Sequence, residues 1–406
     1  MLNHYRQLSR NTIVLSMTVG LVLIANFMWT PLTALHLRAL GADDVQIGVA
    51  FSVFTLLHSL PALLGGMLAD RFGRKWVITL PGLLTVPLYV LASLTRDWLI
   101  FSILLSCTNF LGSLQWPAMQ AFMSESDEER RAMAFSFIEI FVLGAVIVGP
   151  LLGSFLLPTL GISGLIFLHA LALVPASVVR ATQLHETHHE AHRSTPNLRE
   201  WRTAIPSGAL WIIGANAVFA LTIGLSFEGP FSALLSNDVW KLDEQQIQWM
   251  NSLGGAFALT GIWIGGKADQ WGGRRIWILS ASGLALALAG WGLSPRWELG
   301  IVFFLIGHIF YEIIFIVSET LLAQHSTQAS RSSVFGVMST MGGISTATGP
   351  TLGAWAASLS SLAAPFLIGA VSSLASLGFL SRVTDTPEAE TGEIVAEEFV
   401  AAHLVE

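Results

Sequence analysis

The sequence predicts an all-α integral membrane protein of twelve transmembrane helices, arranged as two like six-helix halves. Three observations carry this: a charge-poor composition, twelve apolar runs of spanning length, and an internal repeat. Of 406 residues, 53% are hydrophobic and 12% charged, with a mean hydropathy of +0.65. A soluble domain carries about 25% charged residues, so half the usual charge is missing. This excludes a disordered chain, a nucleic-acid binder and an ordinary soluble enzyme. The single cysteine, Cys107, excludes intrachain disulfides and metal or redox centres built on cysteine.

A hydrocarbon core of about 30 Å takes roughly 20 apolar residues in helical form. Such runs lie at about 11–37, 45–68, 77–94, 98–122, 133–157, 163–180, 205–233, 246–266, 276–293, 299–324, 333–356 and 362–381. They are continuous rather than alternating, which argues against a β-barrel. The first run is too long for a cleaved signal peptide and is expected to be retained. An even number of spans puts both termini on one side. With the N-terminus in the cytoplasm, Arg38, Arg96, Lys241 and Arg296 fall outside and the other sixteen of the 20 Lys and Arg residues inside. That bias predicts a multi-pass protein of the cell (inner) membrane with both termini cytoplasmic.

The chain repeats itself at an offset of 199–200 residues. Gly66-Met67-Leu68-Ala69-Asp70-Arg71-Phe72-Gly73-Arg74-Lys75 returns, with one insertion, as Gly265-Gly266-Lys267-Ala268-Asp269-Gln270-Trp271-Gly272-Gly273-Arg274-Arg275. Pro31, Ala34 and Leu35 match Pro230, Ala233 and Leu234, and Phe135 matches Phe335. Gly149-Pro150-x-x-Gly153 matches Gly349-Pro350-x-x-Gly353. The predicted organisation is a six-helix bundle over 1–180, a His-rich linker over 181–204, a second bundle over 205–382 and an acidic tail over 383–406.

On these residues the chain resembles the major facilitator superfamily. The loop G-x-L-A-D-R-x-G-R-K at 66–75 is that family's most recognisable motif, and the weaker copy after span 8 sits where the family places it. The Gly-Pro pairs of spans 5 and 11 resemble the antiporter motif of its drug exporters, incompletely, with Ser136, Ala145 and Ser345 where glycines are expected. The resemblance implies two pseudo-symmetric bundles around a central cavity lined mainly by spans 1, 4, 7 and 10, working as a monomer. It also implies that Asp70 meets the start of span 11 and latches the halves in the outward-open state. Arg74 would then pair with Glu125 or Glu139. Gly66, Arg71, Gly73, Lys75, Asp269, Gly272 and Arg274 complete this predicted cytoplasmic gate, which also reads as plain topogenic charge. Gly66 suits close helix packing, Gly73 a positive φ, and Asp70 the positive end of a helix. The prolines of Gly149-Pro150 and Gly349-Pro350 each remove a helical hydrogen bond, predicting a hinge or an ordinary packing bend.

Ionisable residues inside spans cost about 2.5–3.5 kcal/mol each on insertion scales, so each asks for a reason. His308, Tyr311, Glu312 and Glu319 of span 10 share one helical face. Glu312 lies mid-run with no Lys or Arg in its span, and a carboxyl so placed can exchange a proton as water access alternates. A buried hydrogen-bonded pair is the other reading. Glu228 of span 7 lies towards the outer end and suits a proton or a cationic substrate, or an interfacial position. In span 4, Asn109, Ser113, Trp116 and Gln120 form an uncharged stripe, and Asn26 and Thr30 lie one turn apart in span 1; these read as cavity-lining groups or interhelical bonds. In the linker, His185, His188, His189 and His192 have the i, i+4 spacing of a helical metal site, and also the composition of a solvated linker.

No G-x-x-x-x-G-K-[ST] or HExxH motif occurs, and no enzyme activity or cofactor is expected. The expected function is secondary active transport of a small molecule by alternating access: proton-coupled efflux of an amphiphilic or drug-like compound across the lipid bilayer. Import of a small metabolite, metal efflux through the histidine linker, and a non-transporting sensor of the same fold are the alternatives. The net charge of −7 belongs to the tail, where Asp385, Glu388, Glu390, Glu393, Glu397, Glu398 and Glu406 face no base; the rest of the chain balances at zero. Substrate charge is therefore not legible in the total.

Overall fold

The computed structural model describes Tyr5 and residues 7–187, 206–326 and 331–383. Among the described residues there is no β-strand. Span 1 comprises Arg10–Phe27 and Thr33–Ala39, joined by a 3-10 turn at Thr30–Leu32; span 2 comprises Asp44–Ser59 and Ala62–Phe72. Spans 3 and 4 are Arg74–Leu94 and Trp98–Ser126. Arg131–Gln183 holds spans 5 and 6, reversed at Gly161, whose φ of 63° and ψ of 174° leave the helix. Span 7 comprises Ser207–Ser226 and Phe231–Asp238. Spans 8 to 12 are Glu244–Gly265, Gly273–Leu293, Trp297–Gln324, Arg331–Leu359 and Ala364–Leu380. The protein is thus a twelve-helix membrane bundle. Span 6 runs to Gln183, three residues into the predicted linker. His188, His189 and His192, and the acidic tail, lie outside the described residues.

The repeat is visible in local chemistry. Asp43 accepts from Gln46 N at 2.8 Å while Gln46 Oε1 accepts from Asp43 N at 2.9 Å, opening span 2 with a capping box. Asp243 and Gln246 open span 8 identically, 200 residues on, at the same distances. These side chains satisfy backbone donors that a helix start leaves bare.

Spans 1 and 7 were expected to run straight through. Both break instead, just before Pro31 and Pro230, which have no amide proton to give back to the preceding turn. The Gly-Pro helices 5 and 11, expected to bend, continue unbroken past these breaks, and their glycines admit the neighbouring backbone. A Cβ on Gly153 would lie 2.4 Å from Met28 O, and one on Gly349 would lie 2.8 Å from Gly224 Cα. In lipid no hydrophobic force draws helices together, so such small-residue contacts carry the packing. Gly349→Ala meets backbone that cannot yield and should destabilise by about 1–3 kcal/mol; a lowered thermal midpoint of the purified protein is the check.

We call the face bearing the first residues and the 66–75 loop the terminal face, and the opposite one distal. The halves meet towards the distal face. Span 2 packs on span 11, where Ser52 Oγ takes bonds from Thr351 N at 3.0 Å and from its hydroxyl at 2.7 Å. Span 8 packs on span 5, where Ser252, the repeat-mate of Ser52, donates to Ile147 O at 2.8 Å. Buried Gln248 donates to Met28 O, a carbonyl left without its helical partner at the span 1 break. Arg38 bridges Asp44 of its own half and Asp238 of the other, 2.7 Å from each. The terminal part of span 2, Ala62–Phe72, packs within its own half on spans 3 and 4. The arrangement is closed at the distal face.

Candidate transport site

Above the middle of the bundle, a cavity of about 480 Å³ lies between the halves, within the range of small-molecule sites. Asn26 and Thr30 of span 1, Asn109 of span 4, Glu228 of span 7 and His308 of span 10 line it, as do residues of spans 2, 3, 5 and 8. Glu228 sits in the span 7 break, where its backbone N–H bonds Ile223 O at 3.0 Å, and its accessible surface opens into the cavity. Its repeat-mate Trp29 forms part of the opposite wall. Trp29 Nε1 donates to His169 Nδ1 at 3.2 Å, and Tyr89 packs on that imidazole at 4.4 Å between centroids.

The span 10 stripe divides. His308 faces the cavity with its Nδ1 3.0 Å from Phe304 O and its ring edge-on to Phe227 at 4.8 Å. Tyr311 stacks on Phe227 at 4.9 Å between centroids. Glu312 and Glu319 lie below the cavity, towards the terminal face. Glu139 of span 5 lies near enough for its charge to act on both. Glu312 packs close under span 8, its Cβ 2.8 Å from where a Cβ on Gly261 would stand. Trp116 and Gln120, expected on the cavity wall, are exposed and do not line it; Ser113 is buried and donates to Phe110 O at 2.9 Å.

At the terminal face Arg74 is ringed by acceptors. It pairs with Asp70, and its Nε and Nη2 bond Glu125 Oε1 at 3.2 and 3.0 Å. Glu139 is not its partner. Asp70, expected against the start of span 11, stays within its own half in this arrangement. Gly73 carries the expected positive φ, 91°. Gly66 makes no close approach; that role belongs to Gly65, whose Cβ would fall 2.3 Å from Leu114 O. Arg71 and Lys75 lie over the rings of Phe72 and Trp76, at 5.3 and 5.5 Å. In the second copy Gly272 repeats the positive φ at 83°, and Arg274 Nη2 donates to Ser381 O at 3.4 Å. The side chain of Asp269 lies outside the described residues.

Several residues at the cavity and the terminal face carried no assignment in the sequence. His58, Tyr89, Phe227 and Asn251 line the cavity. His58, a titratable group mid-span, carried a usable signal by the rule that placed Glu312; Asn251 and Tyr89 carried none. Buried Arg180 of span 6 donates to Thr18 Oγ1 at 2.9 Å and to Gln115 Oε1 at 3.3 Å. The first linker residues also join the gate. Glu186 accepts from the backbone N–H groups of Arg74 and Lys75 at 2.9 and 3.2 Å, capping span 3, and Thr187 Oγ1 donates to Glu125 Oε2 at 2.7 Å. His185 exchanges two 3.0 Å bonds with Asn11. Glu186→Ala removes an N-terminal cap and should cost about 1 kcal/mol, read as a lower thermal midpoint and faster proteolysis near residue 187.

Comparison with known proteins agrees with this architecture. The Major Facilitator Superfamily pattern matches residues 15–237 and again 217–403. The chain is 25% identical over 354 residues to the multidrug resistance protein MdtG of Dickeya zeae, covering 84% of this chain and 86% of that one. It is 24% identical over 377 residues to MdtG of Escherichia coli (strain 55989 / EAEC), covering 89% and 91%. Among solved structures, the nucleoside transporter NupG superposes with a TM-score of 0.72 at 15% identity, over 91% of this chain and 98% of that one. The human organic anion transporter MFSD10 superposes with a TM-score of 0.68 at 16% identity, over 91% and 99%. With its two matched halves, its membrane-spanning helices and its central cavity, the chain is a small-molecule transporter rather than an enzyme, and it belongs to the major facilitator superfamily.

Proposed function

We propose that this protein is a proton-coupled exporter of amphiphilic, drug-like compounds, working as a monomer in the cell membrane with both termini in the cytoplasm. The observation that carries the coupling is Glu312. It is a carboxyl mid-way along a membrane helix, below the cavity, with carboxylates and no base among the charged side chains described near it. A group so placed can take a proton from one side and release it to the other as access alternates. The basic residues on the terminal face support the orientation, which makes the distal-closed arrangement the inward-facing one. Release of Asp70 to Arg74 fits that state, since the latch to span 11 belongs to the outward-open one. The multidrug relatives support efflux and an amphiphilic cargo, as do the aromatic cavity walls.

Purified protein in proteoliposomes, with a pH gradient imposed and a panel of drug-like compounds supplied, tests this. Gradient-driven accumulation of at least one compound, abolished when an ionophore collapses the gradient, is the expected result. Flux that ignores the gradient overturns the coupling, and no flux across the panel overturns drug export.

A further inference from the structure

We propose that the cavity selects organic monocations with aromatic substituents, and that Glu228 is the residue that recognises their charge. This deepens the transport reading above and rests on it. Glu228 is the one carboxylate on the described cavity wall, and no Lys or Arg lines it. Among the described residues, no donor bonds its carboxylate. Its carboxylate is exposed to the cavity and carries no bound partner, so a cationic ligand that fills the space gains from pairing with it where a neutral or anionic one does not.

The other walls agree with a cation. Tyr89 lines the cavity from the first half and Phe227 from beside Glu228, both partly exposed, while Trp29 is fully buried within that wall. Ring faces attract cations through their quadrupoles. The position that carries the carboxylate in span 7 carries a buried indole in span 1, so the cavity's charge comes from one half alone. His308 adds an acceptor. Its Nδ1 lies against the carbonyl of Phe304, so Nδ1 holds the proton and Nε2 of the neutral ring presents a lone pair. The guanidinium nearest in kind, Arg180, is held by Thr18 and Gln115 and does not line the cavity. Among the described residues, none on the wall supplies a fixed positive charge for an anionic ligand.

Two probes of the same shape and opposite charge decide it: tetraphenylphosphonium and tetraphenylborate. Binding of radiolabelled tetraphenylphosphonium to the purified full chain at pH 8 is expected to saturate at one site. Glu228→Gln should weaken it at least tenfold and Glu228→Asp less, both at an unchanged thermal midpoint. Tetraphenylborate should not displace it from the unmodified protein. This competition needs no variant, so it decides the matter even where Glu228→Gln fails to fold. Equal displacement by the borate, or full affinity in Glu228→Gln, overturns the proposal. Gradient-driven flux of an uncharged compound with no phosphonium binding overturns it while leaving proton-coupled transport standing. Phosphonium binding without any gradient-driven flux sinks the transport reading and supports the cation site.

Discussion

Glu312→Gln should leave the transporter folded and able to exchange substrate, yet unable to use a proton gradient. The amide keeps the size of the acid, which matters because span 8 presses on this side chain at Gly261. It cannot take up and release a proton. One pH unit is worth 1.36 kcal/mol per proton, so antiport of one proton per substrate concentrates the substrate about tenfold across such a gradient. The variant should equilibrate at a ratio of about one in the same vesicles, with counterflow between labelled and unlabelled substrate retained. Accumulation equal to the unmodified protein removes Glu312 from the coupling. Glu139 and Glu319 bear on the same group, so neutralising either should weaken accumulation less than losing Glu312 itself.

The second large effect concerns the distal seam. Arg38 is shared between Asp44 and Asp238, the latter its counterpart 200 positions on. The two positions face each other because the halves are related by the repeat. Two identical charges there would repel, and the divergence of one half to Arg and the other to Asp turns the meeting point into a latch. The pair is partly exposed, at 30% and 37% of the side chains. Truncation by Arg38→Gln therefore costs the closed state only about 1 kcal/mol. Arg38→Glu should do far more. Three carboxylates would then meet where two now share a guanidinium, and like-charge contacts across an interface cost several kcal/mol.

The expected outcome is a shift towards the distal-open state. It is read as about a tenfold or greater rise in labelling of Asn251→Cys by an impermeant maleimide applied from the distal side. The background is Cys107→Ser, which leaves no other cysteine. Reversing both partners, Arg38→Asp with Asp238→Arg, should restore protection in part, because Asp44 still offers a partner. Unchanged labelling in Arg38→Glu would remove the pair from the gate.

Much of the architecture was legible in one dimension. Twelve spans follow from apolar run length and two halves from the 200-residue offset, whereas the breaks in spans 1 and 7 were read as continuous helix. At the terminal face the motif named Arg74 and offered two acids. Geometry chose Glu125, on the neighbouring span 4, and left Glu139 near Glu312 and Glu319. The span 10 residues were read as one stripe, but a helix of 28 residues is too long for one environment. His308 reaches the cavity while Glu312 and Glu319 sit below it. Glycines were harder. Gly66 belongs to the motif, whereas Gly65 makes the contact, since adjacent helical residues point about 100° apart.

The sequence by itself determined that this chain lies in a membrane, how often it crosses, that it duplicates one six-helix unit, and which titratable groups stand inside the spans. These are set by hydropathy and by spacing along the chain, the repeat offset included, and need no contact between helices. Only the tertiary structure decided which side of each helix looks inward. In water an apolar stripe marks the buried face, but in lipid the outside is as apolar as the core, so periodicity loses its direction. That is why His58, Tyr89 and Asn251 appeared on the cavity wall unannounced, why Trp116 and Gln120 left it, and why the pairing of Arg38 with Asp238 needed both halves brought together.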